Sequence, residues 1–345
     1  MIVDDSMVAR AVLGRMIESD PTFDIVAVAG TAEHAIEALG QVMVDIVLLD
    51  LEMPGLGGLR SIPGILEAAK GAKVLIVSSL AEEGAEATLA ALALGAADAL
   101  PKPGTGRFNG TFSDVLLGKL RELGFAERKT RDVFAPGKVD AASLRAAVDE
   151  PLELLAIGAS TGGIPALGTL FAGMPKKIGV PILLTQHLPP AFMTVFARQM
   201  AVASGRDCVV AEDGMPLVAD RIHVAPGDAH LIVDQIGSAP VIRLLKTRAA
   251  SGCMPSVDPM FASAGNVFGK GALGVVLTGM GRDGVEGALH LVNAGGAVIA
   301  QDQASCAVWG MPRAVTEAGL ACAVLPPDKI ARRIAGRVSE ASSCR

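Results

Sequence analysis

Between residues 1 and 124 the sequence switches five times between a short apolar run and a stretch of helical periodicity, and this alternation constrains the fold more than any other feature. The runs are "MIV", "FDIVAVAG", "DIVLLD", "KVLIVSS" and "ADALPKP", and helical patterns lie near residues 7–19, 31–40, 57–69, 84–94 and 112–123. Five β/α units predict a five-stranded, doubly wound parallel sheet. In such a sheet reactive groups gather beyond the carboxyl ends of the strands.

A second α/β region opens at "PLELLAIG" and continues through "VPILLTQ", "DRIHVAP", "GALGVVLTG" and "GAVIAQD", which predicts a mainly parallel sheet. Residues 125–150 carry mixed charge and a Pro-Gly but few apolar residues, and read as a linker. The expected organisation is therefore a domain at 1–124, a linker at 125–150 and a domain at 151–345. Bulk comes from aliphatic residues, with 51% hydrophobic but only 3% aromatic residues and no tyrosine, as suits helices packed on parallel sheets. A net charge of −6 argues against nucleic-acid binding. The five cysteines (Cys208, Cys253, Cys306, Cys322 and Cys344) include no C-x-x-C pair and read as reduced thiols of a cytoplasmic protein. Acidic Asp4 and Asp5 stand where a signal peptide needs basic residues. The uncharged windows 154–175 and 178–197 are broken by Gly, Pro and polar residues, so no membrane insertion is expected.

Two constellations carry chemistry. In the first, Asp4 and Asp5 follow the first strand and Asp50 ends the third, in "LLDLEMPG". Clustered carboxylates repel and call for a hard divalent cation such as Mg²⁺. Ser78 ends the fourth strand beside Ser79, and Lys102 follows the fifth in "LPKP". A hydroxyl and an ammonium converging on a carboxylate suit a transferred phosphoryl group. The alternative for an acid such as Asp5 is capping of the next helix.

In the second, "LLAIGASTGG" sets Ser160 between Gly158 and Gly162, after a strand and before a helix. This G-x-S-x-G turn exposes a hydroxyl near unpaired backbone N–H groups. A helix cap or a phosphate-binding turn are other readings of this motif alone, although G-x-G-x-x-G is not met. A nucleophilic serine needs a base. His34 and His290 fall in helical runs; His223 and His230 fall in "DRIHVAPGDAHLIV", which reads as paired strands. His187 ends the strand "VPILLTQH", at the sheet edge that carries Ser160. "GALGVVLTGMGRDG" ends another strand and supplies Asp283 to orient that histidine, and the glycines around Met280 can aim a backbone N–H at an oxyanion. The order Ser, His, Asp differs from that of α/β-hydrolases.

Residues 1–124 resemble a response-regulator receiver domain, which is flavodoxin-like. The resemblance implies that Asp50 accepts a phosphoryl group from a histidine kinase. It implies that Asp5, Asp50 and the Glu52 backbone carbonyl hold Mg²⁺, with Asp4 acting through water, and that Ser78 and Lys102 contact the phosphoryl oxygens. The sequence departs from the receiver pattern in two places. Only Met1, Ile2 and Val3 precede the acid pair, about 10 Å of strand, which predicts a less stable first domain. Pro63-Gly64 predicts a kinked or shortened third helix.

Residues 151–325 resemble the catalytic domain of chemotaxis protein-glutamate methylesterases, through "IGASTGG", "QHLPPAFMTVFA", "VAPGDAHL", "PSVDPMF", "LTGMGRDG" and "AQDQASCAVWGMPRAV". That family implies Ser160 as nucleophile, His187 as base, Asp283 as orienting acid, the Met280 N–H as oxyanion donor, and Thr161 as a residue that shapes the site. It implies cleavage of glutamyl methyl esters on the cytoplasmic helices of chemoreceptors, release of methanol, and deamidation of receptor glutamines, with no cofactor for hydrolysis. The contrasting reading is a receiver-linked docking module without catalysis, against which the Ser160, His187 and Asp283 set argues. Residues 151–345 read as α/β and not as a basic helix-turn-helix, which argues against a transcription regulator.

Overall fold

The structure is a computed structural model and describes residues 1–55, 57–78, 82–103, 110–125, 144–145, 150–237 and 239–343. The chain divides into two compact units, Met1–Pro136 and Gly137–Arg345. The linker expected at 125–150 lies largely outside the described residues, as does Ser79. Within that stretch Leu144 packs on the core of the second unit, and the Arg145 N–H donates to Ala321 O.

In the first unit, strands β1 (Ile2–Val3), β2 (Val28–Ala29), β3 (Ile46–Leu49), β4 (Lys73–Ser78) and β5 (Asp98–Pro101) form one parallel sheet in the order β2-β1-β3-β4-β5. The order reverses at β1, so the carboxyl ends of β1 and β3 are neighbours. Val3 pairs with Leu49, and the Asp50 N–H donates to Val3 O at 2.9 Å, which sets Asp4 and Asp50 side by side. The run "FDIVAVAG" yields only the two residues of β2. That strand is one edge of the sheet, and Val28 on it and Val26 just before it are exposed. Ser6, not Asp5, caps the helix Met7–Glu18: its Oγ accepts the Ala9 N–H at 3.2 Å. The acid is thereby left for the strand-end cluster.

The third helix, Gly58–Ala68, runs through Pro63 and is not shortened. Pro63 has no N–H for the turn before it. Ile62 and Ile65 on either side are fully buried, and burial of this kind outweighs local propensity.

The second unit is built on seven parallel strands. They are β6 (Leu154–Ala159), β7 (Ile182–Gln186), β8 (Cys208–Val210), β9 (Ile222–Val224), β12 (Ala272–Val276), β13 (Ala297–Gln301) and β14 (Ala323–Leu325). Their order in the sheet is β14-β13-β12-β6-β7-β9-β8. Helices Gly163–Gly173, Pro190–Ser204, Val257–Phe268, Val285–Asn293, Met311–Glu317 and Pro327–Ser343 connect or follow them. A hairpin of β10 (His230–Ile236) and β11 (Ala239–Leu245) stands apart as the antiparallel element. Here the structure corrects one expectation. His223 and His230 do not lie on paired strands: β9 pairs with β7 and β8, whereas β10 pairs with β11. The "PGD" turn reads as a hairpin signal, but it carries the chain out of the sheet. Val257, Met260 and Phe261 of one helix pack with Leu291 of another and Val276 of β12 in a fully buried cluster beneath the strand ends.

Candidate active site

The three central strands of the second sheet, β12, β6 and β7, each deliver one residue of the expected set. Ser160 follows β6, His187 follows β7, and Asp283 lies in the loop after β12. The sheet reverses direction of growth at β6, the place where an open α/β sheet leaves a crevice. His187 Nε2 lies 2.8 Å from Asp283 Oδ2. Asp283 is 1% exposed, whereas the His187 side chain is 17% exposed, so the pair reaches from the interior to solvent.

The turn that carries Ser160 is held by backbone geometry. Its N–H donates to Thr278 O at 3.0 Å and its carbonyl accepts the Gly163 N–H at 2.8 Å. Gln186 Nε2 also donates to Ser160 O, at 2.9 Å, so the residue before the histidine ties the two strand ends together. Gly162 precedes the helix with φ +73°, in the left-handed region, and a Cβ there would lie 2.3 Å from the Cβ of Ala307. Gly162 is thus required by space as well as by the turn, and Gly158 by space, since a Cβ there would lie 2.6 Å from the Val257 methyls. Among the described residues Ser160 Oγ makes no hydrogen bond.

Asp283 is saturated with donors. Oδ1 accepts the Ser256 hydroxyl at 2.6 Å; Oδ2 accepts the Val257 N–H at 2.7 Å as well as His187. Val257 opens a helix, so its N–H is one of the groups a helix leaves unpaired. Burial opposes ionisation of Asp283, but the bonds from His187, Ser256 and Val257 outweigh it and hold the carboxyl well below the ordinary range. The neighbouring Asp258 accepts the Gly287 N–H at 2.8 Å, yet burial, and then the Asp283 charge, push it upward, so Asp283 ionises first of the two. Behind Ser256, its N–H donates to His230 Nδ1 at 2.9 Å, and His230 Nε2 donates to Thr247 O at 2.8 Å. Sequence reading gave Ser256, Gln186 and His230 no role. "PSVDPMF" pointed to the segment but not to its bonds.

The loop carrying Met280 is propped by the stretch "CAVWGM". Gly279 N–H donates to Val308 O at 3.0 Å, and Gly279 O accepts Gly310 N–H and Met311 N–H at 3.0 and 2.8 Å. A Cβ on Gly279 would stand 2.7 Å from Ser160 Cβ, so this loop and the serine turn are in closest contact. The Met280 N–H thus belongs to backbone packed against the serine. Thr161 is buried, and its carbonyl lies 2.9 Å from Thr278 Oγ1, which also accepts the Val308 N–H at 3.0 Å.

In the first unit Lys102 Nζ stands 2.7 Å from Asp50 Oδ2 and 2.9 Å from Asp4 Oδ2. Asp50 is 3% exposed; Asp5 is exposed. Carboxylate oxygens of Asp4, Asp5 and Asp50 lie within 4.8 Å of one another, as a hard cation requires. Burial pushes the Asp50 carboxyl upward, against the opposing effects of Lys102 and the Glu52 N–H. Burial alone would lower Lys102, but its bonds to Asp50 and Asp4 raise it. Ser78 Oγ is buried and has no hydrogen-bond partner, so both its donor and its acceptor capacity face the cluster unused.

Comparison with known proteins agrees with both halves. Residues 155–334 match the family model described as CheB methylesterase, and residues 1–107 that of the response regulator receiver domain. The chain belongs to the CheB methylesterase family. It is 42% identical to "Protein-glutamate methylesterase/protein-glutamine glutaminase 2" of Caulobacter vibrioides, over 98% of both chains. It is 39% identical to "Protein-glutamate methylesterase/protein-glutamine glutaminase 1" of Paramagnetospirillum magneticum, over 96% of this chain and 93% of that one. The crystal structure of the Thermotoga maritima CheB methylesterase catalytic domain is 34% identical and covers 54% of this chain and 99% of its own, with a TM-score of 0.52. The two-domain α/β organisation is that of a CheB enzyme with an N-terminal receiver. No helix among the described residues is long and apolar enough to cross a membrane.

Proposed function

We propose that this chain is a cytoplasmic, phosphorylation-regulated protein-glutamate methylesterase and protein-glutamine glutaminase of chemotaxis, with Ser160, His187 and Asp283 as its catalytic triad. The observation that carries the triad is the 2.8 Å bond between His187 and buried Asp283, on strand ends that flank the Ser160 turn. Asp283 takes the Nε2 proton of His187 as a hydrogen bond, which leaves Nδ1 as the basic nitrogen. That nitrogen removes the Ser160 proton as Oγ attacks the glutamyl ester carbonyl; the bond forms on substrate engagement, as is common for catalytic pairs. The Met280 N–H and the helix-start N–H groups after Ser160 hold the oxyanion. Collapse of the tetrahedral species expels methanol, which takes the proton back from His187, and water activated by the same base frees the glutamate. A glutamine amide takes the same course and loses ammonia. The substrates are methylated or amidated side chains on the cytoplasmic helices of chemoreceptors.

The receiver takes its phosphoryl group from a histidine kinase on Asp50. The Asp4, Asp5 and Asp50 oxygens fit Mg²⁺, which would neutralise the charge of the transferred group. Asp5, Asp50 and the Glu52 carbonyl would hold the ion directly. Lys102 and Ser78 would contact the phosphoryl oxygens, and the Lys102 ammonium, shared between Asp50 and Asp4, supports that reading. The test is methanol release from methylated receptor, with and without a small phosphodonor, together with labelling by a fluorophosphonate probe. A hydrolase labels on Ser160 and responds to the phosphodonor; a docking module does neither.

A further inference from the structure

One thiol stands within the catalytic group. Cys253 lies on the segment between β11 and the helix Val257–Phe268, three residues before the Ser256 that holds Asp283. Its Sγ, a carboxylate oxygen of Asp283 and a ring nitrogen of His187 all lie within 4.8 Å of one another. Among the described residues Cys208, Cys306 and Cys322 join no such group. Cys253 and His187 are partly exposed, so the trio opens to solvent, while Asp283 anchors it from inside.

Imidazole, thiolate and carboxylate are the three donor types that zinc accepts, at about 2.0–2.3 Å in a tetrahedron. Those bond lengths set the donors roughly 3.5 Å apart, which side-chain rotation reaches from the observed envelope. The second layer is in place: Ser256 Oγ fixes the other oxygen of Asp283 at 2.6 Å. A thiolate donor selects a borderline-soft ion and disfavours Mg²⁺.

We propose that His187, Cys253 and Asp283 form an inhibitory zinc site at the esterase centre. Binding is ligand exchange without electron transfer. The Cys253 thiol releases its proton to water as the zinc–sulfur bond forms; the His187 Nε2 proton moves through water to Nδ1, and Zn²⁺ takes the freed Nε2 and the Asp283 oxygen in place of the bond between them. His187 is then occupied as a ligand and unable to take the Ser160 proton, and the fourth position of the ion stays open to water. Inhibition rests on the triad reading above; metal binding does not.

The test uses the full chain, with free Zn²⁺ set by a metal buffer and Co²⁺ as spectroscopic probe. One equivalent of Co²⁺ is expected to give the sulfur-to-cobalt charge-transfer band of a thiolate site in wild type and in Ser160→Ala, and none in Cys253→Ala or Cys253→Ser. Methanol release by wild type is expected to fall with free Zn²⁺ and to return fully on chelation. In both Cys253 variants the half-inhibiting zinc concentration, measured against each variant's own zinc-free rate, rises at least about tenfold. A cobalt band that persists without Cys253, or inhibition at the same zinc concentration in wild type and variants, overturns the proposal. If instead Ser160→Ala hydrolyses normally, the triad reading fails while the cobalt band still reports the site.

Discussion

Asp50 and Asp283 are both buried aspartates just beyond a parallel strand, yet their surroundings prepare them for opposite work. Asp283 meets three donors, and each of its oxygens is engaged. Its charge faces His187, and its carboxyl is held low. Asp50 shares one ammonium with Asp4, and its remaining bond is a 3.2 Å contact from the Glu52 N–H. Burial raises it. A carboxylate that is crowded by another acid and only partly satisfied keeps an oxygen available for a phosphoryl group. One that is saturated by neutral donors and a histidine keeps its position and reacts with nothing. The residue type and its place in the fold are alike; the donors decide.

This contrast is most severely tested in the triad. Ser160→Ala and His187→Ala are each expected to lower methanol release by roughly 10⁶-fold, since nucleophile and base act as a unit. If Asp283 only orients, Asp283→Asn should cost less, roughly 10⁴-fold. Equal losses in all three variants would show that Asp283 does more than position its partner. Next, a small phosphodonor with Mg²⁺ should phosphorylate Asp50 alone, and Asp50→Asn should abolish both the label and the stimulation of esterase activity. Mass spectrometry that finds phosphate on Asp283 would erase the distinction.

A smaller effect is expected from Ser256→Ala, which removes one charge-assisted bond from Asp283: about a tenfold loss in kcat with KM unchanged, rescued by Ser256→Thr. A purely structural serine would move stability and leave kcat alone. Smallest of all are the opposite responses to acid. Asp50 has a folded value above its unfolded 3.8, so its native form gains protons first, and the stability it withholds returns as pH falls through that folded value. Asp283 has a folded value below 3.8, so its contribution is complete above that pH and is lost as pH falls further. Melting curves from pH 7 to 3, each compared with its Asn variant, should therefore diverge in sign. Curves that fall together would remove the electrostatic basis of the comparison.

Much of this was legible in the sequence because it lay in alternation and in single residues at strand ends. The five β/α units of the first sheet, Asp50, Lys102, Ser160 and His187 can each be placed from where the apolar runs stop. Three features escaped for identifiable reasons. The strands β8 and β14 at the two edges of the sheet are three residues each and only partly buried, so they lack the apolar run that marks the equally short but fully buried β9. Pro63 sits inside a helix because the burial of Ile62 and Ile65 overrides the chain's local preference. The supports of Asp283 come from Ser256 and Val257, 27 and 26 residues away, through a hydroxyl and a backbone N–H that no residue pattern marks.

The spatial order of the second sheet also has a consequence in time. Strands β6 and β7 are near in sequence and pair directly, so the serine turn and the histidine are joined by a short-range pairing. The acid does not come until β12, beginning at Ala272, lies against the opposite side of β6, 118 residues after its partner Leu154. A chain that ends before that strand holds Ser160 and His187 but lacks Asp283. Pairing over so long a separation is slow to form relative to local structure. The residues after β6 and β7 and the acid after β12 are therefore brought together from both sides of one strand, and the set is whole only when a pairing across 118 residues has formed.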